Sequence, residues 1–200
     1  PAPYAAPAGY YFPLTTRLGA VEIYKGPTML PYGPNTLGGA INLVTATMPY
    51  GPVAEFDLEL GQDTFGRLHA RVGDGGDNWS YFVDMAHLET DGFKVVDGGG
   101  KSGYLRNDLL FKGRWDSDPA GPTLHRVDIK VGYGDETSNE TYLGLTAEDF
   151  EATPLRRYRA SYLDEMNWER TQIQIDYSAD FESGLEVRLT GYRHDFYRVW

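Results

Sequence analysis

From residue 53 onward, apolar and polar side chains take turns along seven separate segments, and this period of two constrains the fold more than any other feature of the chain. It predicts strands near 53–60, 66–73, 79–89, 104–116, 124–134, 168–179 and 185–197. The fifth is the clearest. Val127, Ile129, Val131 and Tyr133 lie on one face, and Arg126, Asp128, Lys130 and Gly132 on the other. The sixth sets Thr171, Ile173, Ile175 and Tyr177 against Arg170, Gln172, Gln174 and Asp176. The connections are of two kinds. Asp74–Asn78, Ser117–Thr123 and Asp180–Gly184 are short, whereas Thr90–Gly103 and Asp135–Asn167 are long. Gly61–Phe65 departs from this alternation, being short where a long loop would fall. Within the longest connection, Thr146-Ala147-Glu148-Asp149 reads as the capped start of a helical turn that Pro154 limits.

Two architectures accommodate seven such strands: a soluble β-sandwich, and a membrane barrel whose strands meet lipid on one side and water on the other. Aromatic placement favours the barrel. Trp79, Tyr81, Trp115 and Tyr177 fall at the short-turn end of the presumed lipid face, with Tyr133 at the opposite end. Amphipathic rings in two belts suit the headgroup layers of a bilayer. No run approaches the roughly 18–20 apolar residues of a spanning helix, which leaves a barrel untouched. The net charge of −11 argues against a nucleic-acid partner. With no Cys, disulfides and Cys-based zinc sites are excluded.

The first 49 residues differ in character. Residues 1–16 carry prolines spaced to prevent a helix and read as an irregular loop. Val21–Lys25 alternates as a short strand, 26–39 is punctuated by Gly and Pro, and Ala40–Thr45 is a second strand. Together, Val21–Thr45 closely resembles the signature that closes the plug domain of TonB-dependent outer-membrane receptors. The matching elements are Val21, Glu22, Lys25, Gly26, Pro27, Tyr32, Gly33, Gly38, Gly39, Ile41, Asn42 and Thr45. The Pro/Tyr-rich lead and parts of the longest loop are similar to the ferric dicitrate transporter subfamily.

The resemblance implies an all-β chain forming part of a transmembrane antiparallel up-and-down β-barrel, 22-stranded in the family. The C-terminal part of an α+β plug domain precedes it. Residues 1–49 would be that plug segment and 50–200 the first barrel strands, about seven. It further implies the outer membrane of a Gram-negative bacterium, surrounding lipid, and TonB as a partner through a segment outside this chain. The cargo would be a ferric chelate of the citrate type, with iron carried in the chelate and no resident cofactor. Carboxylates on such a ligand call for guanidinium forks. The candidates are Arg156, Arg157 and Arg159 in the longest loop, and Arg193, His194 and Arg198 near the end of the seventh strand. Tyr4, Tyr10 and Tyr11 would form the plug side of the pocket. The competing reading of each loop arginine is an ion pair with Glu148, Asp149, Glu151 or Asp164. Glu22 and Lys25 are either partners for charges on a barrel wall or an ordinary solvated strand face.

An enzyme is not expected. HExxH, GxSxG, a phosphate-cradling loop and a dinucleotide fingerprint are all missing, and His69, His87, His125 and His194 are scattered singly. Asp57 and Glu59 share a strand face and read most simply as lining a watery interior. The rival classes are a soluble β-sandwich binding or adhesion module and a receptor of the same family for another nutrient or for signalling.

Overall fold

The computed structural model describes residues 12–25 and 39–200, which divide into two compact units between Thr47 and Met48. In the first, β1 (Leu18–Tyr24) pairs antiparallel with β2 (Ala40–Thr45), setting Glu22 opposite Asn42. β1 begins three residues before the sequence pattern, because Leu18–Ala20 continue the ladder without contributing to the alternation. Gly26, Pro27, Tyr32, Gly33 and Gly38 lie outside the described residues, as do Tyr4, Tyr10 and Tyr11.

The second unit is built on one seven-stranded antiparallel sheet. Its long strands are β3 (Val53–Leu60), β4 (Gly66–Gly75), β5 (Trp79–Thr90), β7 (Tyr104–Asp116), β8 (Thr123–Ser138), β10 (Met166–Phe181) and β11 (Glu186–Val199). They follow one another in chain order as a meander, with β3 and β11 as the two edges. Two-residue strands interrupt the long loops: β6 (Val95–Val96) and β9 (Arg156–Arg157) pair with each other in parallel. The fold is therefore antiparallel and all-β, with a short helix α1 (Ala147–Ala152).

The alternation places the seven strands well but undercounts three of them at the long-loop end. β8 runs on through Asp135–Ser138, β10 begins at Met166, and β11 reaches Val199. In β8 the reason is local: Asp135–Ser138 are polar on both faces, so hydrogen bonding continues after the period of two has faded, whereas β10 and β11 gain Met166 and Val199 through the ladder pairs Met166–Ser138 and Asn167–Val199.

One face carries the apolar residues. Phe56, Leu58, Ile129, Val131, Ile173 and Ile175 stand exposed on it, and Trp79 lies directly across from Trp115. All seven long strands belong to a single sheet, and these side chains remain exposed. A sandwich would bury them under a second layer.

The unbroken apolar stripe runs obliquely. It ends at Leu60 on β3 but at Gly191 on β11, where Arg193 interrupts it, although the ladder mate of Leu60 across the sheet is Val199. Leu105, Tyr197 and Val199 stand beyond a polar residue on their strands. The upper boundary thus slips by about eight residues, or roughly 27 Å, over six lateral steps of ~4.8 Å. The lower boundary slips from Ala54, whose ladder mate is Arg193, to Val187, about six residues or ~20 Å. Both boundaries make an angle of roughly 35–43° with the line perpendicular to the strands.

Candidate ligand-binding site

On the face opposite the stripe, register sets unlike charges side by side. Arg106 faces Glu136 at 3.5 Å, Arg114 faces Asp128 at 2.8 Å, and Arg126 faces Asp116 at 2.6 Å. Arg67 reaches Glu59 at 2.9 Å and Arg170 reaches Asp108 at 3.5 Å. The tightest knot surrounds Asp84, which is fully buried. Its Oδ2 accepts from Arg71 Nη2 at 2.7 Å and lies 3.0 Å from His69 Nε2, while His69 Nδ1 sits 3.3 Å from Asp57. Burying a carboxylate this deeply is tolerable only with such partners. Trp168 lies under the guanidinium groups of Arg106 and Arg170, at 5.1 and 5.8 Å from its ring centre. Two cations, their acids and an aromatic plate therefore gather beneath the long loops, and none of these residues was among the ligand-binding candidates read from the sequence. Alternation puts them on one face, but only the register reveals which charge meets which.

The two long loops are joined. The amide of Val95 donates to the Leu155 carbonyl and that of Asp97 to the Arg157 carbonyl, both at 2.8 Å. At the loop base, a Cβ on Gly103 would lie 1.9 Å from the Thr90 carbonyl oxygen, so only glycine fits there. The helix α1 starts as its sequence suggests, with the Thr146 hydroxyl accepting from the Asp149 amide at 3.2 Å.

The three loop arginines serve these joints. Arg156 donates from Nε to both Asp97 oxygens at 3.0 Å and from Nη1 to Asp149 at 2.8 Å. Its charge is thus doubly matched, and the pairing with Asp97 raises its pKa. Asp149 is held below the usual carboxylate range, first by the Tyr158 hydroxyl and further by Thr146 and Arg156. Arg157, only 4% exposed, donates to the Ser161 hydroxyl at 3.0 Å, to the Ser161 and Asn139 carbonyls, and to the Asp164 carbonyl at 3.2 Å. Arg159 donates to the Gly98 carbonyl at 3.2 Å and stacks over Tyr162 at 4.2 Å. Of the acidic partners considered from sequence, only Asp149 takes an ion pair with one of these arginines.

The candidates on β11 separate by face. Arg193 projects on the same side as Ile173 and pairs with its own neighbour Asp195 at 2.6 Å. His194 and Arg198 occupy the polar face, across from Gln172 and Trp168, and the Arg198 guanidinium is 5.7 Å from the Trp200 ring. In the first unit, the Glu22 carboxylate accepts from Asn42 at 2.8 Å and from the Tyr24 hydroxyl at 2.7 Å, and these bonds lower its pKa. Glu22 and Asn42 therefore tie the β1–β2 pair across its ladder. Gly39 holds a φ of 134°, a conformation that favours glycine. Lys25 directly follows β1.

No family model, no curated protein and no solved structure matches the chain.

Proposed function

We propose that this chain is part of a TonB-dependent outer-membrane transporter, with residues 1–49 from the end of its plug and 50–200 from the start of its barrel. One observation carries the reading: the oblique apolar stripe. Strands of an outer-membrane barrel tilt by about 35–45° from the membrane normal, so a horizontal belt of lipid must cross the hydrogen-bonded ladder at that angle. The stripe supports such a tilt at both its boundaries. The charge-paired opposite face suits a wet, plugged interior, and Trp79, Tyr81, Trp115 and Tyr177 suit an interfacial girdle.

The cargo under this reading is a ferric chelate of the citrate type, taken up with energy delivered through TonB. Its carboxylates would meet Arg106, Arg170 and Arg198 on the polar face, together with His194, while Arg156, Arg157 and Arg159 shape the loops above. Because acids outnumber bases overall and Glu136 and Asp108 pair with Arg106 and Arg170, capture depends on the ligand's carboxylates competing for this local grouping of guanidinium ions.

Cysteine substitution tests the membrane reading, since residues 1–200 contribute no competing thiol. In the full-length protein in outer membranes, Val131→Cys and Ile173→Cys should resist a charged thiol reagent, and a spin label there should be broadened by lipid-soluble oxygen. Gln172→Cys and Gln174→Cys should react. Equal reaction at all four positions would defeat the proposal. Titrating ferric citrate against the purified full-length protein separates this cargo from another nutrient.

A further inference from the structure

Between the joined loops lies a hollow of ≈ 780 Å³ that neither the transport reading nor the charge ladder uses. Its walls are Phe93, Leu143, Leu145, Phe150, Pro154 and Leu155. Phe93 and Phe150 are each 60% exposed toward solvent, a costly display for two phenyl rings standing beside a ready-made concavity.

The charge of this hollow is unbalanced. Arg156 on its wall is neutralised by Asp97 and Asp149. Arg157, also on the wall, is buried and donates to three carbonyls and a hydroxyl, so its acceptors are neutral and no carboxylate among the described residues pairs with it. The Asp164 carboxylate nearby accepts from the Thr141 hydroxyl, and Arg157 meets only the Asp164 carbonyl. Lys94, a second wall residue, uses its backbone amide and carbonyl with Ser102, and its ammonium has no partner among the described residues. An apolar pocket of this size with one or two placed charges is the usual form of a small-molecule site.

We infer that the loop hollow is a binding site for a small aromatic carboxylate. The ring lies against Phe93 and Phe150, where offset or edge contacts between aromatic groups are favourable. The carboxylate answers the charge of Lys94 and Arg157. The loops are already fixed by the β6–β9 pairing and by three arginines, so the site is pre-formed and binding costs little ordering. This site rests on the loop pair alone and stands or falls separately from the membrane reading.

The test is a ¹⁹F NMR titration of 4-(trifluoromethyl)benzoate into the purified full-length protein, with 4-(trifluoromethyl)benzamide as the uncharged comparison. The benzoate should broaden saturably, and the benzamide should bind about tenfold more weakly because it lacks the charge. Lys94→Gln removes only a side chain without a partner and should weaken benzoate by a similar factor, about tenfold. Phe150→Asp should abolish the saturable component. Equal affinity for benzoate and benzamide would overturn the proposal, as would unchanged benzoate binding in either variant.

Discussion

A guanidinium at 4% exposure must spend its N–H groups on fixed acceptors, and Arg157 does so by gathering the carbonyls of Asn139, Ser161 and Asp164. Arg157→Leu keeps the bulk but orphans these acceptors. It should loosen residues 139–165 by about 2 kcal/mol, seen as amide exchange roughly thirtyfold faster there than in β7 and β8. Asp149 gives a pH signature at the same scale. Its folded-state pKa is depressed, so its contribution is present above the unfolded value and is lost as pH falls through the folded one. Between neutrality and about pH 4 the loop should stay intact, and its protection should fall only in stronger acid. Pepsin cleavage within 139–165, followed between pH 5 and 2, checks this; Asp149→Asn should flatten the dependence. A loop that opened already near pH 5 would contradict the assignment.

For the elements, the period of two carries the long strands, and the structure extends β8 where both faces turn polar and β10 and β11 where ladder bonds continue past the alternation. The sequence offered no sign of β6 and β9. Two residues are too few for a period, and their parallel pairing depends on Gly103 and Arg156 bringing the loops together. Of the site, the sequence grouped Arg193, His194 and Arg198 near the end of the seventh strand without separating them by face. It could not show that Arg193 sits with Ile173, because the boundary of the apolar stripe on β11 depends on the slip across all seven strands. The two faces should answer mutation differently. Val131→Arg, in the middle of the stripe, should cost about 2–4 kcal/mol of stability in lipid vesicles. Gln172→Arg, on the polar face, should cost under about 0.5 kcal/mol. Denaturant titration of the full-length protein in vesicles measures both, and equal costs would remove the distinction between the faces.

At the largest scale, β3 and β11 are sheet edges with no further strand beside them among the described residues, and the stripe exposes apolar side chains next to them. Neither is stable in water without neighbours. Residues 48–200 expressed alone should therefore collect in inclusion bodies and return from denaturant only as aggregates, even in detergent. A soluble monomer by light scattering would point to a self-sufficient sheet. The parallel pairing of β6 with β9 has a consequence of its own. It links the β5–β7 hairpin to the β8–β10 hairpin, so the two rims cannot swing independently. Any separation of these two loops must break both amide bonds and the Arg156 fork together, so they part as one unit or stay joined.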